Sequence, residues 1–344
     1  MREPILVTGV AGFIGFHVAR RLLAEGRHVL GIDNLNDYYD PRLKRARVRE
    51  LKNQSGFLFQ RCDIADRAAM TKLFAAHRFD FVVHLAAQAG VRYSLERPYA
   101  YADSNLIGFL NVLEGCRHRG CQHLIYASSS SVYGATKRMP LRISDDTDHP
   151  VSLYGASKKA NEVMAHSYAS LFGIAATGLR FFTVYGPWGR PDMAMWLFTA
   201  AILDGRPLKL FNNGRMRRDF TFIDDVVEAV NRLLTQAPRG ATTSDSPPDS
   251  VGSETPSRLY NVGNSQPVDV DEVVGLIEEA VGRQAIREYL PLQPGDVLET
   301  CADCTDLERA VGFRPNTPLK EGVRLFVEWF QSFHGAEPAR RKRV

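Results

Sequence analysis

Ile5-Leu-Val-Thr-Gly9-Val-Ala-Gly12-Phe-Ile-Gly15 is the stretch on which the fold turns. A short β-branched run ends at a glycine, two more glycines follow at three-residue spacing, and an amphipathic run, Phe13–Leu23, begins at once. Glycines at such a junction let the chain turn tightly, let backbone N–H groups approach a pyrophosphate, and let a helix pack closely on a strand. The helix N-terminus then favours negative charge, so Gly9, Gly12, Phe13, Ile14 and Gly15 are candidate contacts to a dinucleotide. The spacing is GxxGxxG, where the commoner fingerprint is GxGxxG.

Outward from this stretch, short apolar runs alternate with segments long enough for helices. Ile5–Thr8, His28–Asp33, Phe57–Gln60, Phe79–Leu85, His123–Ala127 and Ala175–Arg180 read as strands. Six βα units predict a parallel sheet covered on both faces, a Rossmann-type doubly wound α/β fold. Helices are expected over Ser104–Arg117 and Ser152–Phe172. Beyond about residue 184 the alternation loosens into a smaller C-terminal α/β substrate lobe. The expected division is 1–183 for the dinucleotide domain, with 219–236 returning to it, and 184–218 plus 258–334 for the lobe. Fourteen of the 21 residues 237–257 are Ser, Thr, Pro or Gly, which predicts a mobile surface loop. Residues 335–344, with Arg340-Arg-Lys-Arg343, read as a solvated tail.

The chain of 344 residues carries 43 basic and 39 acidic side chains, a net charge of +4. That bias is too small to point to nucleic acid and suits an anionic small molecule better. With 44% hydrophobic and 24% charged residues and a mean hydropathy of −0.21, the composition excludes disordered, collagenous and coiled-coil classes. Five cysteines, an odd number, lack the density of a secreted disulfide scaffold. Cys301-Ala-Asp-Cys304 has CxxC spacing but no second pair or histidine partner, so no metal is expected. With no secretory leader pattern and no run of apolar residues long enough to span a bilayer, no membrane association is expected, and the expected location is the cytoplasm.

Asp33 closes the second predicted strand, 18 residues beyond Gly15. A carboxylate there accepts hydrogen bonds from an adenosine ribose and repels a 2′-phosphate, favouring NAD over NADP, with Asn34 beside it. Tyr154-Gly-Ala-Ser-Lys158 puts a phenol and an ammonium on one helix face. Lys158, assisted by the positive charge of oxidised nicotinamide, is expected to lower the phenol's pKa towards neutrality, making Tyr154 a general base for a sugar hydroxyl. Tyr126-Ala-Ser-Ser-Ser-Ser-Val-Tyr-Gly134 places four hydroxyls at the C-terminal edge of the fifth strand, where open α/β sheets bind ligands.

GxxGxxG, the serine run and YxxxK together resemble the extended short-chain dehydrogenase/reductase family over nearly the whole chain. Within it the likeness is to nucleotide-sugar 4-epimerases of the UDP-glucuronate type, carried by Asp33-Asn-Leu-Asn-Asp-Tyr-Tyr-Asp40, His84-Leu-Ala-Ala-Gln-Ala-Gly-Val-Arg-Tyr93, Phe182-Thr-Val-Tyr-Gly-Pro-Trp-Gly-Arg-Pro-Asp192 and Arg218-Asp-Phe-Thr-Phe-Ile-Asp-Asp225. The resemblance implies Ser129, Tyr154 and Lys158 as catalytic residues. It implies Asp63 and Ile64 at adenine, Leu85, Ala86 and Ala87 along the cofactor, Phe211 stacked on uracil and Arg218 on the diphosphate. Arg92, Ser130, Thr183, Arg190 and Asp296 complete the implied substrate set, Thr183 and Arg190 as a grip on a carboxylate. Galactose-type epimerases carry a second diphosphate arginine where this sequence reads Gln293-Pro-Gly-Asp296.

The implied activity is reversible 4-epimerisation of UDP-glucuronate to UDP-galacturonate, through a 4-keto intermediate with tightly bound NAD, by a homodimer built on the helices Ser104–Arg117 and Ser152–Phe172. Related 4,6-dehydratases carry an Asp-Glu pair just after the catalytic hydroxyl, and UDP-glucuronate decarboxylases a Glu at the position of Ser131. Here both positions, 130 and 131, are serine. The alternatives are a UDP-glucose or UDP-N-acetylhexosamine 4-epimerase, a UDP-glucuronate decarboxylase, and a non-enzymatic NAD-binding sensor or scaffold.

Overall fold

The structure, a computed structural model, describes residues 3–240, 255–292 and 297–341, with side chains as far as residue 335. The chain opens with β1 (Ile5–Thr8), α1 (Phe13–Ala24), β2 (Val29–Asp33), α2 (Pro41–Lys52), β3 (Phe57–Arg61), α3 (Arg67–Ala76) and β4 (Phe81–His84). Two single-turn helices, α4 (Tyr93–Glu96) and α5 (Pro98–Tyr101), precede α6 (Gly108–Arg119), β5 (His123–Ser129), α7 (Leu153–Phe172) and β6 (Ala176–Phe181). The rest comprises β7 (Thr183–Tyr185), α8 (Ala194–Asp204), β8 (Pro207–Phe211), β9 (Arg217–Phe222), α9 (Ile223–Leu234), β10 (Ser257–Val262), β11 (Pro267–Asp269), α10 (Val270–Val281), β12 (Ile286–Leu290), α11 (Thr305–Val311) and α12 (Leu319–Arg341).

Seven strands form one parallel sheet in the order β10-β6-β5-β4-β1-β2-β3. The order reverses direction between β1 and β4, and such a switch opens a crevice at the C-terminal strand ends. Its central strands are buried on both faces, with Leu6, Val7, Val82, Val83, Leu124 and Ile125 all fully enclosed, as a sheet covered by helices requires. Strands β11, β9 and β7 form a small mixed sheet and β12 pairs with β8, and together these make the lobe above the crevice.

The structure departs from the sequence reading in three places. The seventh sheet strand is Ser257–Val262, from the stretch assigned to the lobe, because it pairs with β6 over Ser257–Val262. The helix expected from Ser104 begins instead as a wide π-type coil over Ala102–Ile107 and becomes α-helical at Gly108. There Asn161 donates from its side chain to the Asn105 carbonyl at 2.6 Å, so a carbonyl that a regular turn would use internally is spent on a neighbour, and the Asn105 side chain bonds the Gln88 backbone. The stretch taken as a tail carries helix α12 as far as Arg341. Most of the predicted mobile loop, residues 241–254, lies outside the described residues, as does Asp296 with its neighbours Gln293–Gly295.

Candidate active site

A cavity of ≈ 420 Å³ opens at the C-terminal edge of the sheet, between β1, β4 and β5 on one side and the lobe on the other. Its dinucleotide side is built from backbone. Gly9 has φ +69°, and a Cβ there would stand 2.7 Å from the Ala86 nitrogen, so only glycine lets β1 and β4 close to this distance. Gly15 is pressed against the Gly9 carbonyl, where a Cβ would overlap the oxygen. Helix α1 is capped by Gly12 with no side-chain bond and no acid in its first turn, leaving its leading N–H groups to an anion. Thr8 Oγ1 accepts from the Leu85 and Ala86 N–H groups at 3.1 Å, fixing the β4 end that forms the opposite wall.

Asp33 accepts from the Ala11 N–H at 3.1 Å and the Leu35 N–H at 2.8 Å, so it braces the glycine loop and starts a turn while remaining at the cavity wall. Burial raises its pKa, and the two backbone bonds pull it back. Asn34 donates to Asp63 at 2.9 Å, placing Asp63 at the exposed rim, while Ile64, Leu85, Ala86 and Ala87 line the wall. These residues fit a dinucleotide: a side-chain-free cradle under a helix N-terminus, with an acid at the end of β2.

Across the cavity lie Ser129, Ser130, Tyr154 and Lys158. Helix α7 is started by Ser152, whose hydroxyl accepts from the Gly155 N–H at 3.0 Å, and this orients Tyr154 and Lys158 toward the serine run. The Ser129 hydroxyl bonds the Tyr154 phenol and Arg190 lies near it; both lower its pKa, but burial dominates and raises it. The Lys158 ammonium donates to the Ala127 carbonyl at 2.9 Å. Lys158 is 2% exposed, and desolvation lowers its pKa to about 8.

Thr183 opens β7 at the cavity, and Arg190 follows in the loop after it. Arg190 pairs with Asp192 through Nε at 3.0 Å and Nη2 at 2.5 Å, and the Tyr38 hydroxyl donates to the same carboxylate at 2.9 Å. Arg218, on β9, also lines the cavity. Arg92 and Phe211, which come from opposite sides of the crevice, meet outside this cavity with the guanidinium 4.3 Å from the ring centroid. Sequence reasoning missed Lys44 and Tyr38 in the wall and the Gln88–Asn105–Ser157 network behind it. The quoted stretch Asp33–Asp40 held Tyr38, but nothing in its spacing shows that the ring turns inward.

A sequence profile of the NAD dependent epimerase/dehydratase family matches residues 5–247. The chain belongs to that family. It is 47% identical over 327 residues to a probable UDP-glucuronate 4-epimerase of Rhizobium meliloti, covering 94% of this chain and 96% of that one. It is 44% identical over 335 residues to UDP-glucuronate 4-epimerase 3 of Arabidopsis thaliana, covering 96% of this chain and 77% of the plant protein. The crystal structure of UDP-glucuronic acid 4-epimerase from Bacillus cereus in complex with UDP-glucuronic acid and NAD is 31% identical and superposes with a TM-score of 0.85, covering 96% of this chain and 99% of that one.

Proposed function

We propose that this chain epimerises UDP-glucuronate at C4, reversibly, to UDP-galacturonate with tightly bound NAD. The observation that carries the reading is the facing of Tyr154 by Ser129 and Arg190, with serines and no carboxylate at 130 and 131. Gly9, Gly12 and Gly15 would hold NAD, which would supply reversible hydride transfer and leave the reaction redox-neutral. Tyr154 takes the proton of the 4-hydroxyl and gives it back, and Ser129 holds the same oxygen. Lys158 places a cation beside the Ala127 carbonyl at the cofactor side.

Oxidation at C4 makes a β-keto acid, which loses carbon dioxide when the breaking C–C bond aligns with the carbonyl π system. Thr183 and Arg190 hold the carboxylate out of that alignment while the ring turns, and the Asp192 pair orients the guanidinium for the task. Arg218 meets the diphosphate. Without an acid at 130 or 131, the site lacks the group that elimination of the 6-substituent would need.

Incubation with UDP-glucuronate, UDP-glucose and UDP-N-acetylglucosamine, read by chromatography, tests the reading. The 4-epimer is expected from the first alone, and turnover of only the neutral sugars would refute it. Arg190→Ala is expected to lower kcat/KM by about 1.5–3 kcal/mol in transition-state terms and to raise the fraction of decarboxylated UDP-4-keto-pentose seen by mass spectrometry. Exposed Leu153, Val163, Leu171 and Phe172 on α7, with Ile107 before α6, support a homodimer across these helices, which sedimentation at micromolar concentration tests.

A further inference from the structure

Arg47 is fully buried and makes no ion pair among the described residues. It projects from α2, outside the groups assigned to binding or chemistry above. Its two terminal nitrogens reach three main-chain carbonyls in two segments far apart in sequence and one hydroxyl, while Nε is buried with no partner among the described residues. Nη1 donates to Ala11 O at 2.8 Å and to the Tyr39 hydroxyl at 2.7 Å. Nη2 donates to Trp188 O at 2.6 Å and Gly189 O at 3.1 Å. Ala11 lies in the glycine loop, and Gly189 immediately precedes Arg190.

The segment these bonds hold would not keep its shape unaided. Gly186 has φ +143° and Trp188 φ +60°, a backbone region that a tryptophan rarely adopts. Three successive carbonyls, of residues 187, 188 and 189, need donors from outside, since no helix or ladder pairs them. His17 supplies the third, through Nε2 to Pro187 O at 2.8 Å. A carbonyl only accepts, so this nitrogen carries the proton, and Nδ1 is left to accept from Arg20 at 3.3 Å. Burial and neighbouring arginines lower the His17 pKa to about 3, which keeps that tautomer neutral. The Trp188 ring is gripped in turn by Phe16, Trp329 and Phe333, with centroids 5.3–5.4 Å away.

We propose that Arg47 is a positioning residue that locks the segment 186–190, and with it Arg190, to the dinucleotide loop, with His17 as a second pin. One buried planar fork thereby sets the place of the carboxylate grip relative to the cofactor cradle. Lysine cannot substitute, since a single ammonium cannot bridge the Ala11 side and the Trp188–Gly189 side in one plane. The consequence for the reaction rests on the function proposed above: a grip displaced by about 1 Å costs on the order of 10²-fold in rate and lets the keto acid reach the decarboxylating alignment.

The test uses Arg47→Lys and His17→Leu in the full chain. The ratio of pentose by-product to 4-epimer, measured by mass spectrometry, does not depend on how much enzyme is folded. It is expected to rise at least fivefold in Arg47→Lys and less in His17→Leu, with kcat falling more than KM rises. An unchanged ratio in both variants overturns the proposal, and His17→Leu alone decides if Arg47→Lys fails to fold.

A wild type inert toward UDP-glucuronate refutes the function and leaves the positioning to be read from tryptophan emission. The chain's three tryptophans form one chain of ring contacts, Trp188 of this segment against Trp329 of α12 and Trp329 against Trp196 of α8. Added NAD is expected to shift the emission of the wild type and not of Arg47→Lys. No shift in the wild type, or the same shift in the variant, overturns the proposal.

Discussion

Where the cleft meets α1, the groups on offer are the main-chain N–H groups of the first turn and three glycines that keep side chains out of the way. Where it meets the lobe, they are the phenol of Tyr154, the hydroxyls of Ser129 and Thr183, and the guanidinium groups of Arg190 and Arg218. A backbone-built half depends on what is missing at each position, and its chemistry is the same for any dinucleotide. A half built from side chains depends on what is present, delivered from α7, β5, β7, β9 and a loop.

The contrast breaks most visibly at Tyr154. Replacing it with Phe removes one oxygen and leaves the glycine cradle intact. We expect Tyr154→Phe to fold, to retain NAD on denaturing release and analysis, and to lose about 10²–10⁴-fold in kcat. A loss below about tenfold would take the proton-transfer role away from Tyr154. The reverse experiment is Gly15→Ala. Its added methyl overlaps the Gly9 carbonyl oxygen, which belongs to backbone and cannot swing aside. We expect protein free of NAD and destabilised by about 3 kcal/mol, read from denaturant titration and from the nucleotide released on heating. Wild-type NAD content in that variant would show that the loop relaxes and that the backbone half is less exacting than its geometry.

The same contrast explains what could be read from the sequence. Gly9, Gly12, Gly15, Asp33, Tyr154 and Lys158 carry their signal locally: glycine spacing at a strand–helix junction, an acid at a strand end, two groups four residues apart on a helix. The seven-stranded sheet was legible in six of its strands because the first five are each followed by a helix and the sixth follows directly on α7. The seventh, β10, was not, because the chain leaves through the lobe and returns only at Ser257. Arg47 was illegible for a related reason. Its partners Trp188 and Gly189 lie 141 and 142 residues away, and on α2 it looks like one more basic residue in an arginine-rich helix. At Arg190 the sequence implied a grip on the substrate, with Asp192 only two residues further on. In the fold it pairs with Asp192 and also stands near Tyr154.

Lys158 lies in the side-chain half, and its burial gives a smaller but cleaner measurement. Its Nζ has one hydrogen bond, to a neutral carbonyl, and desolvation lowers its pKa from 10.5 to about 8. A lysine with a depressed folded-state pKa is a cost below that value: the unfolded chain holds the proton more tightly, so stability rises with pH between about 8 and 10.5. The full shift corresponds to about 3 kcal/mol at 1.36 kcal/mol per unit. Lys158→Met lacks this titration and keeps the volume. Comparing the cofactor-free proteins by denaturant unfolding, we expect the wild type to gain about 2 kcal/mol relative to Lys158→Met between pH 7 and pH 9.5. A difference that stays flat across this range would mean that Lys158 keeps an ordinary pKa, and the cation at the cofactor side would then be held without strain. A difference that grows as expected shows the fold spending stability to keep a charge on Lys158, beside the Ala127 carbonyl in the cavity wall.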